Sequence, residues 1–248
     1  KGPNGNGYET IQIYTIENNT VPLGVDQNNS IDHNLFEHCN GEAEIISIKS
    51  NGNRVTNNTI IDSKGQIILR QCSNTIIKNN TILVTGQEYI STGIRIQGKN
   101  QKIVNNVMIG PMYTGLTFHD GQSNYARVQD TLIDSNIISG ARYALRIGIG
   151  DEKNRLPIIN TKFQNNVLDG IEKTIKYDGT ELPVNTIWIN NQSTSTKNSD
   201  ISQIPLTELN NLEIKKIKDK KSLQQLMKSD VGPKGSFHVN YPKQATLN

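Results

Sequence analysis

A short motif, an asparagine followed by two apolar or β-branched residues, recurs along most of the chain at spacings of 22 to 30 residues. Each period is too short for a pair of helices and contains only short runs rich in Ile, Val, Leu and Thr, broken by Gly, Asn, Asp or Ser. This pattern predicts an all-β fold, a single-stranded right-handed parallel β-helix with one motif per coil. The motif begins at Asn34, Asn58, Asn80, Asn106, Asn136 and Asn166.

The composition agrees with many short strands separated by many turns. The 248 residues include 32 asparagines and 34 isoleucines, and only 5% are aromatic. Asparagine favours turns over helices and isoleucine favours strands, so a helical bundle is excluded. Asparagines at the same turn of successive coils are expected to stack as a hydrogen-bonded ladder, which explains the doubled asparagines at 57–58, 79–80, 105–106 and 165–166.

The repeat predicts the domain organisation. Coils of the β-helix are expected over residues 1–191, and residues 192–248 are expected to form a terminal coil and an irregular capping segment that covers the end of the solenoid. Residues 9–13, ETIQI, already resemble a coil. We therefore expect further coils before residue 1, or another subunit, to cover the opposite end of the solenoid.

Charge and hydropathy exclude some partners. The net charge is only +3, too small for a general nucleic-acid-binding surface but compatible with a local basic patch for an acidic polymer. No apolar run approaches the length of a membrane span, and the first residues do not form a signal peptide. The sequence therefore predicts neither a nucleic-acid nor a membrane partner.

Two carboxylates two residues apart form the first candidate site. In a strand, Glu42 and Glu44 would project from the same face, while Ala43 and Ile45 would face inward. Two adjacent carboxylates repel each other unless a cation lies between them, and oxygen ligands suit Ca²⁺ better than Zn²⁺. A solvated strand edge would explain the same pair, so the pair alone does not decide between the two.

A series of basic residues follows this pair, one per coil, at steps of 21, 25, 24 and 27 residues. Such a column on one strand face would repel itself, and an extended anionic ligand would offset that cost. With coils stacked about 4.8 Å apart, five coils span roughly 20 Å, enough for several sugar units. The column consists of Lys49, Arg70, Arg95, His119 and Arg146.

Three segments around this column carry a family resemblance: residues 6–11 (NGYETI), 34–50 (NLFEHCNGEAEIISIKS) and 65–70 (GQIILR). They resemble polysaccharide lyase family 6, the group of alginate lyases and chondroitinase B. The resemblance extends over roughly residues 4–190, and residues 230–233 (DVGP) are similar to the end of the family. The resemblance implies a calcium-dependent lyase that cleaves an anionic polysaccharide by β-elimination on a right-handed β-helix.

The resemblance also implies roles for individual residues. By it, Asn6, Glu42 and Glu44 would bind Ca²⁺, Lys49 would be the base and Arg70 the acid. Arg95 would hold substrate, and His119 and Arg146 continue the same column as further substrate-binding candidates. The expected substrate is alginate, and a polymer of this kind implies a secreted or periplasmic protein.

Two alternatives stay open from the sequence. A chondroitinase B-like enzyme acting on dermatan sulfate would need additional basic residues, for which Arg127, Arg142 and Arg155 are candidates. A non-catalytic carbohydrate-binding β-helix is the other alternative. One departure from the family also bears on activity: Gln71 follows Arg70 where many members have histidine.

Overall fold

The fold is a parallel β-solenoid, seen in a computed structural model that describes residues 7–14, 25–121, 126–150, 155–193, 199–201 and 204–208. Nothing in the described residues is a helix long and apolar enough to cross a membrane. The strands are Ile11–Tyr14 (β1), Ser30–Asp32 (β2), Leu35–Glu37 (β3), Glu44–Lys49 (β4), Arg54–Thr56 (β5), Thr59–Ile61 (β6), Gln66–Leu69 (β7), Ile76–Lys78 (β8), Thr81–Leu83 (β9), Ile94–Ile96 (β10), Lys102–Val104 (β11), Val107–Ile109 (β12), Thr114–His119 (β13), Leu132–Asp134 (β14), Ile137–Ile149 (β15), Lys162–Gln164 (β16), Val167–Tyr177 (β17), Ile187–Ile189 (β18), Asn191–Ser193 (β19) and Leu206–Glu208 (β20).

From β1 to β12, each strand stacks in parallel on the strand three further along the chain, which is its equivalent in the next coil. One such stack, here called the site face, contains β1, β4, β7, β10 and β13 and continues into the later parts of β15 and β17. A second stack contains β3, β6, β9 and β12, and a third contains β2, β5, β8, β11, β14, β16 and β18. The predicted parallel β-helix is thereby confirmed.

The core is a thin column of aliphatic side chains inside the coils. On the site face, one inward row runs through mutually paired residues of successive strands, and all of its members from β4 onward are fully buried. The row consists of Ile11, Ile46, Ile67, Ile94, Leu116, Leu145 and Ile175. Because each coil buries its residues only against its neighbours, a chain with few aromatic residues can build this core.

The asparagine ladder predicted from the sequence is present. In each rung the side-chain Nδ2 donates to the Oδ1 of the asparagine one coil further on, at 2.8 to 3.0 Å. The first residue of each doublet in the ladder, such as Asn57 or Asn105, has a positive φ of 51 to 58°. Asparagine tolerates this left-handed conformation better than most residues, so one asparagine makes the turn and the next is buried. The ladder consists of Asn34, Asn58, Asn80, Asn106, Asn136, Asn166 and Asn191.

Parallel stacking continues beyond residue 191. Strand β20 pairs in parallel with β19, so residues 206–208 still follow the solenoid. The remainder of the capping segment predicted over residues 192–248 lies largely outside the described residues, and its role as a cap stays a prediction.

Candidate active site

Three carboxylates meet at the start of the site face. One carboxylate oxygen from each of Glu9, Glu42 and Glu44 lies within 4.8 Å of the other two. Glu44 opens β4, whereas Glu42 lies in the bend before it and accepts a 3.3 Å hydrogen bond from the backbone N–H of Tyr8. The pair predicted from the sequence is therefore brought together, although only Glu44 belongs to a strand.

Two cations lie next to these carboxylates. The Nζ of Lys49 is 3.6 Å from Glu9 Oε1, and Arg70 Nη1 is 3.5 Å from Glu44 Oε1. Lys49 ends β4 and Arg70 immediately follows β7, where its N–H donates to the Ile48 carbonyl at 2.8 Å. The pairing of Ile48 with Leu69 places Arg70 beside Lys49 on the neighbouring coil, as the 21-residue step predicts.

The cluster fits a hard divalent cation. Three carboxylates face two cationic side chains, which leaves a net charge of minus one before any ion binds. Glu44 Oε2 is buried and has no hydrogen-bond partner among the described residues, although a buried carboxylate oxygen normally has one. Several carboxylate oxygens are the ligands that Ca²⁺ prefers. Asn6, the remaining ligand that the resemblance implies, lies outside the described residues.

Sequence reasoning missed Glu9. The side chain of Glu9 is only 8% exposed, and its Oε1 also accepts a 2.8 Å hydrogen bond from Gln12 Nε2. Pairing of Ile11 with Ile46 puts Glu9 opposite Glu44 on the next coil. A signal was available, because residues 9–13 (ETIQI) and 44–48 (EIISI) share the pattern Glu-x-Ile-x-Ile.

The predicted single column of basic residues is wrong in register. Arg95 pairs with Ile68 and Thr117, and Thr117 pairs with Arg146, so Arg95 and Arg146 share one row. Arg70 and His119 lie two residues further along their strands than this row, an offset of roughly 6 to 7 Å. Residue counting could not detect this offset because the turns between the strands differ in length.

All five residues of the predicted column still lie on the outward face of the strands. They form a strip two rows wide that begins at Lys49. The row of Arg95 and Arg146 continues one coil beyond the sequence prediction, since Arg146 pairs with Lys176. Arg146 Nε donates to Asp178 Oδ2 at 2.6 Å, and Lys176 Nζ lies 3.4 Å from Asp178 Oδ1. The far end of the strip is therefore partly neutralised by an acidic residue of the chain itself.

His119 does not act as a cation in this strip. Burial, together with the nearby charges of Arg95 and Arg146, lowers its pKa to about 3. His119 is 4% exposed and lies between the coils that carry the two arginines. At neutral pH it therefore offers a neutral imidazole, which can donate one hydrogen bond and accept another.

A cavity of about 520 Å³ adjoins the charged cluster on the site face. It begins at Gln66, whose strand position pairs with Glu44, and extends over the coils of Arg95 and Arg146 to Lys176. Tyr113 and Tyr143 also line it. A ligand lying along the solenoid axis can contact both the acidic cluster and this cavity.

Comparison with known proteins gives a consistent result. The sequence profile of the family described as Chondroitinase B matches residues 2–240. A solved mannuronic acid specific polysaccharide family 6 lyase from human gut microbiota shares 20% identity at a TM-score of 0.71, over 94% of this chain and 55% of that one. Comparison with curated protein sequences gave no match.

Two further solved structures are similar. The alginate lyase AlyGC of polysaccharide lyase family 6 shares 26% identity at a TM-score of 0.67, over 83% of this chain and 29% of its own. An alginate lyase of the same family, in complex with a trisaccharide, shares 19% identity at a TM-score of 0.67, over 82% of this chain and 49% of its own. The chain thus spans about half the length, or less, of these structures.

Proposed function

Because the chain belongs to the chondroitinase B family of polysaccharide lyases, we propose that it cleaves a 4-linked uronate polymer, alginate, by calcium-assisted β-elimination. The observation that carries this proposal is the meeting of Lys49 and Arg70 with three carboxylates at one end of an open basic strip. A paired-carboxylate hydrolase would not need the lysine, the arginine or the strip.

The proposed metal ligands are Glu42 and Glu44, with Glu9 facing them and Asn6 as the further ligand that the family resemblance implies. A bound Ca²⁺ would neutralise the carboxylate of the uronate and so make its C5 proton more acidic. It would also add two positive charges to the cluster, which suits an anionic sugar.

The side chains divide the elimination between them. Lys49, as the neutral amine, takes the C5 proton, and the electrons of that C–H bond form the C4–C5 double bond. The bond from C4 to the glycosidic oxygen breaks, and this oxygen leaves with the bonding electrons. Arg70 stabilises the departing oxygen as a cationic hydrogen-bond donor, while water supplies its proton, since a guanidinium hardly deprotonates. The product carries an unsaturated uronate at its new non-reducing end.

Alginate is a better candidate than dermatan sulfate for this chain. The three arginines that sulfate groups would require already have partners within the chain. Arg142 pairs with Glu172 at 2.6 Å, Arg127 Nε donates to the Pro157 carbonyl at 2.7 Å, and Arg155 Nη1 donates to the Gly148 carbonyl at 2.8 Å. The AlyGC structure, at 26% identity, is that of an alginate lyase. A polymeric substrate of this kind also leads us to propose that the protein acts outside the cytoplasm.

Substitution of Glu44 by glutamine tests the metal site. We expect the Glu44→Gln variant to bind Ca²⁺ about tenfold to a hundredfold more weakly, because the substitution removes one charge and one strong oxygen ligand. Isothermal titration calorimetry measures the affinity. Thermal unfolding with and without Ca²⁺ measures the same interaction as a stabilisation of the folded state.

Glu37→Gln provides the matched control, because Glu37 is an exposed glutamate in a strand of another stack. We expect this variant to bind Ca²⁺ as the wild type does. Wild-type affinity in the Glu44→Gln variant would contradict the assignment of Glu44 as a ligand.

A further inference from the structure

The cavity beyond Arg70 contains two features that the proposed chemistry does not use, a pair of tyrosines and a set of neutral polar groups. Neither Lys49 nor the three carboxylates line this cavity. Its lining includes Tyr113, Tyr143, Arg95 and Thr117. The cavity therefore continues the cleft past the reacting groups.

The tyrosines belong to an aromatic row that crosses three coils. The Tyr89 and Tyr113 rings lie 6.0 Å apart, centroid to centroid, and the Tyr143 N–H donates to the Tyr113 carbonyl at 3.2 Å. The whole chain has eight tyrosines, and three of them, Tyr89, Tyr113 and Tyr143, lie close together on successive coils. Tyr113 is 48% exposed, which means that burial in the core does not account for its ring.

The charged groups around the tyrosines are mostly paired within the chain. Arg142 lies over the Tyr143 ring at 5.5 Å and pairs with Glu172 at 2.6 Å, and Arg146 pairs with Asp178. These pairs reduce the positive charge of the cavity lining. Besides these pairs, the cavity lining contains the two tyrosines, three threonines, the neutral imidazole of His119 and the cationic side chain of Arg95.

This combination fits the ring of a charged sugar. A pyranose has apolar C–H faces, which pack on aromatic rings, and hydroxyls at its edge, which need hydrogen-bond partners. Tyr113 precedes β13, two coils beyond β7, and lies six residues before His119, which is level with Arg70; the two residues are therefore roughly 10 Å apart along the solenoid axis and about 20 Å apart across the face. A polymer cleaved at Lys49 needs only a few more sugar units to reach it.

We propose that Tyr113 and Tyr143 form a stacking subsite for sugar rings remote from the cleaved bond, which makes the chain select polymers and longer oligosaccharides over the shortest substrates. This inference rests on the proposed lyase function and adds to it the part of the substrate that the tyrosines hold. The subsite binds the ring faces, while Arg95 contacts the charged groups of the same segment.

Length-dependent kinetics of a Tyr113→Ala variant test the subsite. We expect KM for polymer and long oligouronates to rise about five- to tenfold, while kcat at saturation changes far less, because the lost contact does not involve the reacting atoms. KM for the shortest cleaved oligosaccharide is expected to change little. Tyr113→Phe keeps the ring and should restore most of the affinity, and Tyr143→Ala should reproduce the length-dependent loss.

Ile187→Ala is the matched control, because Ile187 is 52% exposed on a strand of another stack. Circular dichroism checks that each variant is folded. An equal rise in KM for short and long substrates, or no rise at all, would overturn the subsite while leaving the lyase function intact. Isothermal titration calorimetry compares the affinity of the wild type and of folded Tyr113→Ala for a long oligouronate. The subsite predicts weaker binding by the variant, and this measurement does not require that either protein cleaves a polymer.

Discussion

Substitution of Lys49 by alanine is expected to lower the rate of polymer cleavage about a thousandfold, with little change in fold or in calcium affinity. General base catalysis contributes roughly a hundredfold to ten-thousandfold to such reactions, and no other described amine lies next to the carboxylate cluster. The assay is the ultraviolet absorbance of the new C4–C5 double bond. Circular dichroism and calcium titration show that the variant is otherwise intact.

Two controls separate the base from a mere positive charge. Lys49→Arg keeps the charge but cannot supply a neutral amine, so it should lose as much activity as Lys49→Ala. Lys102→Ala removes an exposed lysine from a strand of another stack and should keep wild-type rates. Appreciable activity in Lys49→Arg would mean that Lys49 acts through its charge and that another group takes the proton.

The second large effect concerns stability. Asn106→Ala is expected to lower the free energy of unfolding by roughly 3 to 5 kcal/mol, because several buried groups lose hydrogen bonds at once. Asn106 is fully buried, and its Oδ1 accepts from the backbone N–H and the Nδ2 of Asn80. Its own Nδ2 donates to Asn136 Oδ1 and to the Ile77 carbonyl. Denaturant unfolding followed by circular dichroism measures the loss.

The neighbouring residue of the same doublet provides the control. Asn105 is exposed, has a φ of 53° and donates one side-chain hydrogen bond, to Asn79 at 2.8 Å. Asn105→Gly tolerates that φ, so we expect a loss of about 1 kcal/mol or less. Equal losses in the two variants would show that the ladder stabilises the solenoid no more than its exposed turns do.

The repeat made the fold predictable from sequence. Each coil of a solenoid has the same turn, and that turn needs the same hydrogen bonds. The asparagine that makes these bonds, such as Asn58 or Asn80, therefore recurs once per coil in the sequence. The first position of each doublet needs a residue that tolerates a left-handed backbone, and the second needs a buried side-chain amide. Asparagine suits both positions, so the turns are visible in the sequence as Asn-Asn doublets. Inward isoleucines follow from the same repetition.

The site was less predictable because it depends on register between coils. The spacing from Lys49 to Arg70 gave the correct neighbours, since the chain between them contains no large insertion. The next step failed because the longer connection between β9 and β10 places Arg95 two residues short of the row expected for it. Glu9 was not predicted as a metal ligand because it precedes the first asparagine motif, at Asn34, and residues 9–13 were interpreted only as part of a coil.

Electrostatic roles depend on burial, which the sequence does not display. His119 was grouped with the cations, yet its burial beside Arg95 and Arg146 keeps it neutral at ordinary pH. Arg146 was assigned to the substrate, yet it already pairs with Asp178, whose contribution only the folded coils reveal. The assignment of Arg146 to substrate binding therefore stays a prediction, and a polyuronate would have to compete with Asp178 for it.

The most direct test of the account is incubation of the purified chain with alginate and with dermatan sulfate, with Ca²⁺ and with a chelator. We expect the absorbance of unsaturated uronate to rise with alginate and Ca²⁺, to stop rising when the chelator is added, and to recover with excess Ca²⁺. Mass spectrometry of the products should show oligosaccharides without the added water of a hydrolysis. A folded chain that gives no absorbance rise on either polymer, or that releases only hydrolysed products, would contradict the account.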